Sequence, residues 1–112
     1  MNRARIGELL LQIAEDRELD NRKMLEFERI LGEGHGDRLV AMAADELTEY
    51  RLAWRPIRNI LGRVKKEKPT AADLEEYREN LTVLGRAILS GVTEFKSLSD
   101  LKKRLSSTGA SA

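Results

Sequence analysis

Arginine and lysine crowd into one short stretch of this chain. Arg51, Arg58 and Lys65 stand seven residues apart, with Arg55, Arg63 and Lys66 between and beside them. If the stretch is helical, a step of seven residues returns to the same edge every two turns, so these three line one side. Guanidinium and ammonium groups on one edge can meet phosphates or a carboxylate-rich protein surface. Arg51 and Arg55, four apart, form a like-charge pair that costs a helix about 0.2–0.5 kcal/mol unless an anion answers it. The plainer account is that acids of the first half answer it internally, with Glu15, Asp16 and Glu18 at the matching level. The functional account is an external anion. An acidic protein partner is expected ahead of nucleic acid, because the whole chain carries a net charge of only +1. It also lacks helix-turn-helix spacing and an aromatic pair for stacking RNA bases. Lys102, Lys103 and Arg104 add a second, smaller basic cluster.

Other candidate chemistry is thin. His35 is the single histidine and could in principle move a proton or accept a phosphoryl group. It stands among Gly32, Gly34 and Gly36, however, and reads as an exposed loop residue. The spacing of Arg29 and His35 resembles that of helical HEPN-type ribonucleases, but no second element of that motif accompanies it. Carboxylates are many, yet none belongs to the Glu-x-x-His pair that a di-metal helical bundle needs. Glu26 and Glu28, or Glu75 and Glu76, read as solvated helix faces. The glycines near His35 make no phosphate loop, since no Gly-Lys-Ser/Thr follows them. No catalytic residue, metal ligand or cofactor is therefore expected, and the chain is read as a non-enzyme.

The elements that must carry the basic edge are helices. Val40, Ala43, Leu47, Tyr50, Trp54, Ile57, Leu61 and Val64 alternate three and four apart, the coiled-coil-like seam of a long amphipathic helix. The spacing predicts helix two over about Asp37–Lys66, bent at Pro56, where the missing N–H and the ring disturb the preceding turn. Helix one is expected from about Arg3 to Leu31, on Ile6, Leu10, Ile13, Met24, Phe27 and Leu31. A polar collar at Arg17 and Asp20 interrupts its seam; the alternative is a break there with Asp20 capping a new segment. The glycine run then joins two antiparallel neighbours, with Asp37 as the next cap. Pro69, Thr70 and Asp73 start helix three, whose seam is Leu74, Tyr77, Leu81, Leu84 and Ile88. A short last helix carries Leu98, Leu101 and Leu105.

Hairpin pairing across the two links brings Tyr50 and Trp54 level with residues 15–19. It also sets Trp54 beside Leu84 and Leu61 beside Tyr77. The phenol and indole are then expected to bond carboxylates such as Asp16 or Asp20.

Composition agrees with such a bundle. The 112 residues suit one domain, 35% are charged and only 4% aromatic, so the core must be Leu, Ile, Val and Ala. Residues 1–50 hold seven basic and twelve acidic side chains, whereas residues 51–68 hold seven basic and one acidic. There is no cysteine, which excludes disulfides and thiolate metal sites. Leu9–Leu11 is too short an apolar run for a secretory signal or a membrane helix, so a cytoplasmic setting is expected.

The sequence thus predicts an all-α antiparallel bundle of three long helices plus a short carboxyl-terminal one. It forms a single domain over residues 1–106, with a disordered tail at 107–112. Leu52, Ile60 and Leu39 give helix two a second apolar flank, which points to a homodimer. The expected role is a homo-oligomeric adaptor or regulatory subunit gripping an acidic partner through Arg51, Arg55, Arg58, Arg63, Lys65 and Lys66. A small nucleic-acid-binding regulator using the same residues is the alternative.

Overall fold

A computed structural model describes residues 2–16, 18–34, 37–54, 57–58, 64–66 and 71–111, with backbone alone at 57–58, 64–66 and 106–111. Helix α1 (Arg3–Glu15) opens on Asn2, whose side-chain oxygen accepts from the Arg5 amide at 3.1 Å. Ile6, Leu9, Leu10 and Ile13 fall at helical spacing and are all buried. After Glu15 the helix stops: Asp16 is extended, and α2 (Asn21–Gly32) begins on a fresh cap at Asp20. The Asp20 carboxylate accepts from the amides of Arg22 and Lys23, at 2.9 and 3.3 Å.

The continuous first helix expected from the seam is thus two helices, and the alternative break at Asp20 is the one formed. The cause is local. Past Ile13 the seam offers no apolar side chain until Met24, while Asp20 satisfies two amides that a helix start would leave orphaned. Lys23 Nζ then donates to Asp16 at 2.6 Å and ties the corner together.

Helix α3 (Arg38–Ala53) starts as expected on Asp37, which accepts from the Val40 amide at 2.9 Å. Leu39, Val40, Ala43, Leu47 and Tyr50 are buried along it. Its end corrects the largest expectation. The helix stops at Ala53, thirteen residues short of Lys66, and a small antiparallel pair follows: β1 (Ile57–Arg58) and β2 (Val64–Lys66). Ile57 lies opposite Lys66, and Arg58 opposite Val64. Pro56 lies outside the described residues, as does the kink expected there. Its chemistry still accounts for the stop: the ring disfavours helical backbone at the residue before it and removes one amide. Ile57 and Val64, stiff at χ1, then favour extended backbone.

Helix α4 (Ala71–Leu89) carries its expected seam, with Leu81, Leu84 and Ile88 fully buried and Leu74 and Tyr77 partly so. It ends at Gly91, the one described glycine with positive φ (79°). The Gly91 amide donates to Ile88 and the Val92 amide to Ala87, the paired bonds of a glycine-terminated helix. Helix α5 (Leu98–Ser111) begins where Ser97 Oγ accepts from the Asp100 amide at 3.2 Å. Its helical backbone runs to Ser111.

The described molecule is therefore built of five helices around one apolar core, with α4 in contact with α1, α3 and α5. Three long helices with one short one is not the arrangement, because two of the three are interrupted. Helix α1 runs against α4 in the opposite direction: Arg3 donates to the carbonyls of Ile88 and Val92, while Arg78 donates to that of Asp16. Gly7 and Gly85 let these backbones approach. A Cβ at Gly85 would stand 3.0 Å from the Gly7 carbonyl oxygen. Arg3 also pairs with Asp37 at 2.8 Å, so one guanidinium joins α1, α4 and the start of α3.

Candidate docking surface

The basic residues divide among different supports. Arg51 sits in the last turn of α3 and donates to Glu28 of α2 at 2.8 Å, with Arg51 half-buried and Glu28 exposed. Arg58 belongs to β1, and Lys65 and Lys66 to β2. Arg55 and Arg63 lie outside the described residues. The common helix edge through Arg51, Arg58 and Lys65 does not exist, because the helix that would carry it ends at Ala53. Backbone pairing does bring Arg58 opposite Val64 and hence next to Lys65.

Of the acids expected to neutralise this stretch, Asp16 is spent elsewhere, and Glu15 and Glu18 have no ion pair among the described residues. Asp16 takes Lys23; Glu26 of α2 takes Arg5, whose Nη2 donates at 2.9 Å; Glu33 takes Arg29 at 2.8 Å. The Arg5 hydrogen bond, stronger than the opposing desolvation, holds the Glu26 carboxyl below its usual range. Glu28 reaches the basic stretch at Arg51. The second cluster is answered at home. Lys102 stands 3.8 Å from Glu79, and Arg104 pairs with Asp100 at 3.2 Å.

Tyr50 and Trp54 make no hydrogen bond to Asp16 or Asp20. Tyr50 packs edge-on to Trp54, at 6.4 Å between centroids, and tilted against Tyr77 at 6.1 Å. The Tyr50 hydroxyl and the Trp54 indole nitrogen are buried with no hydrogen-bond partner among the described residues. Tyr77 faces Tyr50, where α3 ends thirteen residues earlier than the seam implied, and its expected neighbour Leu61 lies outside the described residues.

That earlier turn assembles a feature the sequence reading missed. Glu46, Glu49 and Ala53 of α3 and Asp73, Glu76, Tyr77 and Asn80 of α4 line one cleft. Asn80 is only 8% exposed, and its Nδ2 donates to Glu46 Oε1 at 2.8 Å. The Asn80 Oδ1 is buried and has no partner among the described residues. Burial raises the Tyr77 phenol above its ordinary 10.0, and Glu49, Glu46, Glu76 and Asp73 push it the same way. The signal for this cleft was present as acids at helical spacing on both helices. Finding it needed the α3–α4 register, which depends on where α3 ends.

A second cleft opens between α2 and α3, lined by Met24, Phe27, Leu31, Ala44, Leu47 and Leu52 and bounded by the Arg51–Glu28 pair. Leu52 is 45% exposed, and Leu25 on α2 is 61% exposed. Among the described residues, no group of three His, Cys, Asp or Glu side chains is placed to hold a metal ion. His35 lies outside the described residues. No described helix is long and apolar enough to cross a membrane. No family model, curated protein or solved structure matches the chain.

Proposed function

We propose that the chain is a non-enzymatic helical adaptor or regulatory subunit of the cytoplasm, homo-oligomeric, which docks an acidic protein partner through its basic stretch. The residues of that surface are Arg55, Arg58, Arg63, Lys65 and Lys66, with Arg51 at its border. One observation carries this reading. Asp16, Glu26 and Glu33 of the first half are engaged by local cations, which leaves fewer carboxylates for the excess charge of residues 51–68 to meet. The correction to α3 alters the support, from a helix edge to a strand pair, and leaves the charge where it was. A strand pair of two and three residues is marginal by itself, and a partner that covers it adds the stabilisation it lacks.

A protein surface is favoured over nucleic acid because the whole chain carries a net charge of only +1. The test is an affinity capture with the wild-type chain and the variant Arg58→Glu/Lys65→Glu/Lys66→Glu, each with and without nuclease. A captured protein that survives nuclease and is lost with the variant supports the reading. Capture abolished by nuclease, with retention on nonspecific DNA falling steeply with salt, would transfer the same residues to nucleic-acid binding.

A further inference from the structure

The acidic cleft between α3 and α4 asks for a particular kind of guest. Glu46, Glu49, Asp73 and Glu76 give it four carboxylates. Its wall also holds the buried Asn80 Oδ1, an acceptor without a donor among the described residues. The amide cannot be turned round to remedy this, because Oδ1 would then face Glu46 Oε1, acceptor against acceptor. What fits is a positive charge that brings N–H donors, an ammonium or a guanidinium. A divalent metal does not fit, since no three ligating groups converge among the described residues.

The chain itself carries such groups a few residues away. Ala53 lines the cleft, and β1 with Arg58 begins four residues later. Four residues of extended chain span at most about 14 Å. The basic strand pair and the acidic cleft therefore lie at the same end of the molecule. Glu49 and Glu76 nevertheless remain exposed, and neither has an ion pair among the described residues.

We infer that the cleft receives the basic strand pair, Arg58 with Lys65 and Lys66, of a second copy of this chain. Each copy offers both halves of the interface at one end, so a twofold axis forms two equivalent contacts at once. This rests on the reading of the basic stretch as the docking element, and it names the acidic partner as the protein itself.

The test is the mass of the full chain by analytical ultracentrifugation across a wide concentration range, with two charge reversals that leave Asn80 and Glu46 untouched. Glu49→Lys/Glu76→Lys inverts the cleft, and Arg58→Glu/Lys65→Glu/Lys66→Glu inverts the strand pair. The wild type is expected to sediment as a dimer. Each variant alone is expected to weaken self-association by on the order of a hundredfold, as like charges meet twice across the axis. The decisive arm mixes the two variants, which restores opposite charge at both contacts and should return the dimer mass. Unchanged helical circular dichroism keeps misfolding out of the comparison.

A wild type that stays monomeric overturns the inference, as does a mixture that stays monomeric or a variant that still dimerises. A loss of thermal stability in both variants at unchanged monomer mass also overturns it, and assigns the strand pair to the cleft of its own chain. The docking reading is judged separately. If the wild type is monomeric yet the strand-pair variant loses a protein captured after nuclease, self-docking falls and the reading stands. If that protein is captured equally by both, the reading falls too.

Discussion

At Tyr50 a hydroxyl lies wholly buried between Trp54 and Tyr77, without a hydrogen-bond partner among the described residues. An unpaired buried hydroxyl opposes folding by about 1–3 kcal/mol. Tyr50→Phe keeps the ring packing and removes that cost, so its urea midpoint should be equal to or above the wild type. A loss of more than about 1 kcal/mol would show that the hydroxyl is bonded. At Glu26 the sign of a pH effect follows from Arg5. A carboxyl held below its ordinary value near 4.5 contributes stability that is present above that pH and lost as pH falls through the folded value. Acid unfolding followed by circular dichroism should therefore show a shallower slope below about pH 4.5 for Glu26→Gln than for the wild type. Caps were legible at this scale, since Asp37 acts on neighbouring amides that the sequence places for it. The partners of Tyr50 and Trp54 were not legible, because they depend on levels set by distant helix ends.

Helix α1 and helix α4 meet where neither has a side chain. A Cβ at Gly85 would lie 3.0 Å from the Gly7 carbonyl oxygen, a backbone atom with little room to yield, and 3.1 Å from the Leu11 side chain. Alanine in place of glycine favours a helix by about 1 kcal/mol, yet overpacking costs about 1–3 kcal/mol. Gly85→Ala is accordingly expected to lower stability by up to about 2 kcal/mol. Gly32→Ala is the control. It closes α2 with nothing within 4 Å of its Cβ, and it should leave stability unchanged or raise it. Chemical denaturation of the pair decides it, and equal behaviour of the two variants would deny the close crossing. Apolar periodicity identified the faces of α3 and α4 correctly as far as Tyr50 and Ile88. It failed past Ala53 because Ile57, Leu61 and Val64 stay in phase with the helical seam by position alone. Pro56 and β-branched residues acted locally against that phase. In α1 and α2 the opposite held: the seam had already lapsed at Arg17 and Asp20, and the capping side chain decided the break.

Across the whole molecule, charge is laid out more sharply than composition suggests. The net charge of +1 conceals an acidic cleft on α3 and α4 and a basic strand pair between them in the chain. The basic half was legible as a run of residues. The acidic half was not, since its carboxylates come from two helices whose register follows from the end of α3. The surface at Arg58, Lys65 and Lys66 competes with one other candidate, the apolar cleft between α2 and α3 that Leu52 helps to line. Amide hydrogen exchange, compared between the free chain and its complex with the partner captured after nuclease treatment, separates the two directly. Binding through the basic stretch predicts slowed exchange concentrated in residues 57–66, with α2 unchanged. Protection along Met24–Leu31 and Ala44–Leu52, with 57–66 exchanging as in the free chain, would contradict it.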